Sequence, residues 1–280
     1  MSSIPAKDWK SVWGLLTSGI REHVRKNGFT DVVLGLSGGM DSALVAALAV
    51  DALGKGHVHG VMMPSPWSSE GSITDSEALA ANLGMETFTV PISPMMDAFE
   101  KALAPAFAGR ERDVTEENIQ SRIRGVITMS FSNKFHWMLL ATGNKSEVAA
   151  GYCTMYGDTC GGLAPIADLY KTEVYQLAQW FNEREGMCAI PQSIFDKAPS
   201  AELRPGQKDQ DSLPEYDVLD SILHALIEES KQAEDIELPG VTPEDVNRVQ
   251  ALMRRSAFKR LQLPPLLPVG NHAFGVHVHM

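Results

Sequence analysis

Residues 34–49 read LGLSGGMDSALVAALA, and the reading of this stretch decides the fold. The short apolar run Val32, Val33, Leu34 and Leu36 predicts a strand, and the Ala/Leu/Val-rich segment after Asp41 predicts a helix. Ser37, Gly38 and Gly39 form the bend between them. Glycines there let backbone N–H groups come close to an anion, and the positive end of the helix dipole adds attraction for phosphate. The loop is a phosphate cradle between a strand and a helix. A glycine turn with Ser37 or Asp41 capping the helix would also serve an ordinary α/β protein.

The cradle is not a Walker loop, because Asp41 stands before Ser42 where that motif requires lysine. A carboxylate beside bound phosphate repels it unless a divalent cation lies between them, so Asp41 is expected to be a magnesium ligand. The pattern SGGMDS resembles the signature of the ATP pyrophosphatases, whose loop grips the β and γ phosphates as departing pyrophosphate. An ATP-consuming enzyme acting at the α phosphate is what this resemblance implies.

The flanking pattern predicts alternating strands and helices. Trp9, Val12, Trp13, Leu16, Ile20 and Val24 recur at helical spacing, giving an N-terminal helix within residues 5–27. After the cradle helix ends near Gly54, strands are expected at His57–Met63, Met85–Val90 and Trp137–Thr142. Helices are expected at Ser72–Leu83, Met95–Leu103, Glu116 to about Phe135, and Thr172–Phe181. Helical segments at Asp217–Glu229 and Thr242–Arg255 close the pattern. The fold class that follows is α/β: one domain, residues 1–280, with a parallel sheet covered by helices on both faces. In such sheets ligands lie beyond the carboxyl ends of the strands, where Ser37, Met62 and Thr142 fall. Two stretches, about 104–117 and 195–215, are rich in charge or proline and are expected to be mobile loops.

Composition narrows the function. Lys+Arg number 24 against 35 Asp+Glu, a net charge of -11, which argues against broad nucleic-acid binding. No apolar run approaches the roughly 20 residues a bilayer crossing needs, and no signal-peptide core is seen. The expectation is a cytoplasmic protein with no membrane partner. Cys153, Cys160 and Cys188 form no CxxC pair, so they are read as buried or free thiols without catalytic work. The tail His277 and His279 read as a frayed end rather than a metal site.

Four further blocks follow SGGMDS in order: ENIQSRIRG (117–125), ATGNKSE (141–147), YGDTCGGLAPIADLYKTEVY (156–175) and KAPSAELRPGQKDQDSLPEYDVLD (197–220). Together they make nearly the whole chain resemble NAD synthetase, of the adenine nucleotide alpha hydrolase-like, ATP pyrophosphatase type. The wording GNKSE and PSAELRPGQ is closest to the synthetase part of the glutamine-dependent branch. That branch carries an amidase domain ahead of the synthetase, for which a chain starting so near its cradle is expected to have no room.

The resemblance implies that nicotinic acid adenine dinucleotide (deamido-NAD) is amidated to NAD with ATP and ammonia, through a substrate adenylate, releasing AMP and pyrophosphate. Asp41 and Glu147 would hold Mg2+; read alone, Glu147 is better taken as a first-turn carboxylate favouring its own helix dipole, and SGGMDS beside it shifts the reading to metal. Ser37, Gly38, Gly39, Asp41, Ser42, Met62, Thr142, Lys171 and Ser200 would bind ATP. Lys171 would supply the cation a Walker loop keeps within itself, unless it is merely an exposed residue early in its helix. Ser200, otherwise a cap, and more weakly Lys197, would reach phosphate. Arg122 would grip the dinucleotide, with Asn118 and Arg124 as weaker companions, although both arginines also fit a solvated helix side. Asp158 in the YGD loop would act in catalysis with Asp41 and Lys171 and would also contact substrate. Phe258 and Lys259 match a substrate-touching segment; Phe258 replaces a histidine common in the short ammonia-using members, and Gly162 replaces a second aspartate. The resemblance further implies a homodimer involving the long helix from Glu116, and leaves the ammonia free or delivered by a separate amidase subunit.

Overall fold

The computed structural model describes residues 4–185 and 189–275; Cys188, His277 and His279 lie outside them. Four strands, β1 (Val32–Leu36), β2 (Val58–Met62), β3 (Glu86–Thr89) and β4 (Met138–Leu139), pair in the order β3-β2-β1-β4. Every pairing is parallel: Val32 stands opposite Val58 and Met138, and His59 opposite Glu86. The chain runs outward from β1 to β3, then returns to place β4 on the other side of β1. That reversal opens a crevice at the carboxyl ends of β1 and β4, where an open α/β sheet takes its ligand.

Alternation along β1 sends Val32, Leu34 and Leu36 to one face and Val33 to the other. The first face is covered by α1 (Trp9–Lys26), α2 (Met40–Leu53), α3 (Glu70–Leu83) and α7 (Lys171–Glu185). The second is covered by α4 (Ser93–Leu103) and α5 (Val114–Phe135). α2 is buried nearly all round, from Ser42 through Ala49 and again at Ala52. A helix apolar on every side belongs in the middle of a core, and α2 is clamped between the sheet, α1 and α7. The cradle at its start is therefore fixed to a helix buried on nearly every side.

A smaller cluster joins α6 (Lys145–Ala150), α9 (Tyr216–Ile227) and α10 (Pro243–Arg255). α8 (Gln192–Asp196) and α11 (Ala257–Arg260) complete the helices among the described residues. No helix there is long and apolar enough to cross a membrane.

Several boundaries differ from the sequence pattern. β4 is confined to Met138–Leu139 because the chain changes partner: Leu140 N–H still donates to the Val33 carbonyl, but Ala141 N–H turns to Leu163. α5 begins at Val114, not Glu116, since Asp113 and Glu116 form a reciprocal capping box. α7 begins at Lys171 and runs to Glu185. α6, α8 and α11 are too short to show a period.

Candidate active site

A cavity of about 710 Å³ opens above the carboxyl ends of β1, β2 and β4. Ser37, Met62 and Thr142, distant in sequence, all line it. At its base the cradle is tied to itself. Ser37 Oγ accepts the Gly39 N–H at 3.2 Å and pairs with Ser42 Oγ at 3.1 Å, and Ser42 donates to the Gly39 carbonyl at 3.0 Å. Gly38 has φ of +72°, and a Cβ there would lie 2.3 Å from the Ser72 carbonyl oxygen. Both the backbone conformation and the space exclude a side chain. Gly38→Ala is expected to cost about 1–3 kcal/mol from the left-handed conformation alone and to displace the cradle. Thermal unfolding with and without ATP checks this: the variant should melt earlier and lose ATP protection.

Beside the cradle stands a charged triad. Lys171, the first residue of α7, is only 4% exposed, so it is not an exposed helix residue. Its Nζ donates to Asp41 Oδ2 and lies 3.4 Å from Glu147 Oε1. Asn144, the N-cap of α6, donates its side-chain amide to Asp41 Oδ1 at 3.1 Å. Burial alone would lower the Lys171 ammonium, but Asp41 and Glu147 outweigh it and hold the group protonated. The Glu147 carboxyl is pushed up to about 8, by burial first and then by the Asp41 charge, with Lys171 opposing. Asp209, also lining the cavity, raises it further. Three acids thus face one lysine, and a cation entering here would relieve their mutual repulsion and favour the ionised form of Glu147.

The donor set fits magnesium. Among the described residues no group of three or more His, Cys, Asp or Glu is arranged to hold an ion. Mg2+ in nucleotide sites characteristically takes only one or two carboxylates, with phosphate oxygens and water completing its shell. Asp41 and Glu147, already converging on one Nζ, are such a pair.

The segment 197–209 forms the roof. Lys197 Nζ donates to the Gly38 carbonyl at 3.2 Å and pairs with Asp75 at 2.6 Å. Ser200 lines the cavity, but its hydroxyl is spent within the roof, donating to the Gln207 carbonyl at 2.6 Å. Glu202, at a left-handed φ of 49°, accepts from the hydroxyls of Ser69 and Ser72 at 2.8 Å each.

The opposite wall is α5 against residues 151–158. Asn118 accepts from the Thr154 hydroxyl at 2.7 Å, and Asp158 Oδ1 accepts from Ser121 Oγ at 3.0 Å and Thr154 N–H at 2.7 Å. Lys259 lines this wall while donating to the Gly151 and Cys153 carbonyls. Arg122 is exposed and donates to the Met155 carbonyl at 3.3 Å; neither it nor Phe258, 54% exposed, lines the cavity. Arg124 does. Its guanidinium reaches the Met63 carbonyl at 3.2 Å, and burial brings it down to about 10 while the Glu202 charge opposes. Helical period explains the exchange: Glu117, Asn118, Ser121, Arg124, Gly125 and Thr128 share the cavity face, and residue 122 points about 100° away from Ser121. That stripe was present in the sequence, hidden because polar residues and glycine carry it. Asp209 and Asn144 gave no comparable signal. Cys153 and Cys160 also line the cavity, but burial raises both thiols, Cys153 to about 12, leaving them poor nucleophiles.

The family model for NAD synthase matches residues 12–264. The chain belongs to the NAD synthase family. It is 50% identical over 275 residues to a glutamine-dependent NAD(+) synthetase of Thermotoga maritima, covering 98% of this chain and 48% of that protein. The chain thus spans about half the length of the curated relatives it matches. Among solved structures, the ammonia-dependent NAD synthetase of Campylobacter jejuni superposes with a TM-score of 0.72 at 30% identity, over 91% of this chain and 96% of that one. NMN synthetase of Francisella tularensis gives 0.78 at 28%, over 91% and 97%. The NAD synthase match spans all five motif blocks, including the roof segment.

Proposed function

We propose that this chain amidates deamido-NAD to NAD with ATP and ammonia, through an adenylate of the substrate. The observation that carries the reading is the convergence of the cradle, the Asp41–Lys171–Glu147 triad and the α5 wall on one cavity. A nicotinate carboxylate is a poor electrophile, since expelling oxide from it is prohibitive at neutral pH. It first attacks the α phosphorus of ATP, forming a mixed anhydride as pyrophosphate departs. Ammonia then attacks the carbonyl carbon, AMP leaves with the bonding electrons, and a proton is lost from nitrogen.

Two anions must meet in the first step, so the barrier falls when positive charge lines the phosphate side. Lys171 and the cradle N–H groups supply part of it. A magnesium ion held by Asp41 and Glu147 would neutralise charge on the phosphates. Lys197 ties the roof to the cradle and Ser200 braces the roof from within; Met62 and Thr142 flank the nucleotide; Asn118, Asp158, Arg124 and Lys259 shape the end that receives the dinucleotide. Arg122 and Phe258 lie outside the cavity of a single chain, and their contribution depends on a second subunit. A homodimer through α5 would cover Val126 and Met129, 65% and 36% exposed, which lie on the same side of the helix as Arg122.

Purified chain given ATP, deamido-NAD and an ammonium salt is expected to yield NAD, AMP and pyrophosphate in equal amounts, with nicotinic acid mononucleotide as the comparison substrate. ADP and orthophosphate as products would overturn the reading. Glutamine alone is expected to give no turnover; glutamine-driven synthesis without a second protein would overturn that expectation. Closure of the roof, which would shield the adenylate from water, is checked by limited proteolysis: cleavage within 195–215 should slow when ATP and substrate are present.

A further inference from the structure

Ahead of Glu147, the side chains of Asn144, Lys145 and Ser146 are fully buried, yet the chemistry above uses none of them. Asn144 steadies Asp41, and Lys145 is consumed by ion pairs below the site. Ser146 does something else. Its Oγ accepts the backbone N–H of Lys171 at 2.8 Å and donates to Asp220 Oδ1, while Asp220 Oδ2 accepts the backbone N–H of Thr172 at 2.8 Å.

The first N–H groups of a helix have no partner within it. Here the first two of α7 are taken by a serine from α6 and a carboxylate from α9, and one of them belongs to Lys171 itself. Asp220 is 0% exposed, and a buried carboxylate is costly unless it is hydrogen-bonded; both of its bonds go to groups that fix the start of α7. Burial lifts its carboxyl to about 7. A third bond, from Tyr170 N–H to Glu173 Oε2 at 3.0 Å, fixes the residue before the helix. The start of α7 is therefore set from two other elements, and the Lys171 side chain departs from that start toward Asp41.

We propose that Asp220, through Ser146 and the Thr172 amide, is a positioning residue that fixes the Lys171 ammonium at the phosphate end of the cavity. This rests on the functional reading only in taking Lys171 to act on ATP. Asparagine at 220 keeps the shape but removes the charge and puts an amide N–H where one acceptor oxygen stood, so the Ser146 hydroxyl can no longer donate there; Ser146→Ala removes the intermediate hydroxyl.

The test is a cycle on ATP binding, measured by calorimetry for D220N, S146A, K171A and the pairs D220N/K171A and S146A/K171A. D220N and S146A are each expected to weaken ATP binding and to lower kcat on the order of tenfold to a hundredfold, as expected for a catalytic group displaced by about an ångström. KM for deamido-NAD should stay unchanged. In the K171A background neither should weaken ATP binding further. Losses within twofold in folded D220N and S146A, or losses that add to that of K171A, would overturn the proposal; should D220N fail to fold, S146A and its pair decide. ATP binding without NAD synthesis would remove the functional reading and leave this inference to the cycle. No ATP binding by the unaltered chain would sink both.

Discussion

Replacing Asp41 by alanine is expected to lower turnover by about a hundredfold to a thousandfold while the protein remains folded. Asp41 receives the Lys171 ammonium and the Asn144 amide and stands at the first turn of α2, next to the cradle. Removing one preorganised charge-stabilising group from an active site typically costs two to three powers of ten, roughly 2.7–4 kcal/mol of barrier. The fold has less to lose, because Lys171 keeps Glu147 and the cavity admits water to the gap. Glu147→Ala should behave alike, with one difference. Glu147 is the acid pushed up to about 8, so its removal relieves like-charge repulsion and should destabilise the fold less. The check is kcat against Mg2+ concentration alongside thermal unfolding. An unaltered rate in either variant removes that residue from the proposed metal pair.

The second large effect falls on stability. Lys145 is buried, and its Nζ lies 2.7 Å from Asp168 and 2.5 Å from Glu228, and donates to the His272 carbonyl at 3.0 Å. Lys145→Met keeps the bulk and strands two carboxylates. Breaking a buried pair by removing one partner costs about 3–5 kcal/mol, and thermal unfolding should show a drop of roughly 10 °C, at the 2–4 °C per kcal/mol of a large domain. Asp168 also accepts the Val269 and Gly270 N–H groups at 2.7 Å, so the variant should loosen residues 269–274 first, as hydrogen exchange would report.

The pH dependence of that loss has a definite sign. Burial alone would raise the Glu228 carboxyl, but the Lys145 bond and charge, with His272, hold it below its usual 4.5. A depressed acid contributes stability that is fully present above its ordinary pKa and lost as pH falls through the depressed one. The stability gap between the unaltered chain and K145M should therefore be widest near neutrality and narrow as the medium is made acidic below 4.5. An equal gap at both ends would show that Glu228 draws no support from Lys145.

How much of this could be read from the chain depended on how local each signal was. The cradle was legible because strand, glycine turn and helix are contiguous, and Gly38 answers to a backbone angle and one nearby carbonyl. The capping box of Asp113 and Glu116 is equally local, but it lies in a charge-rich stretch whose composition reads as loop, so the pattern puts the start of α5 at Glu116, two residues after the observed Val114. The cavity face of α5 is not legible in the sequence for another reason: Arg122 and Arg124 are chemically alike, and only the direction of the helix relative to the sheet says which one enters the cavity.

The amino-acid sequence by itself determined the alternation of strands and helices, the phosphate cradle, and, through five ordered blocks, the family. These depend on short-range sterics, periodicity and the identity of residues a few positions apart. Only the tertiary structure decided that Asp41, Glu147 and Lys171 form one triad, that Arg124 rather than Arg122 faces the cavity, and that Asp220 reaches the start of α7. Those contacts join residues tens of positions apart, and their strength comes from removing water around them, which no single segment can do alone.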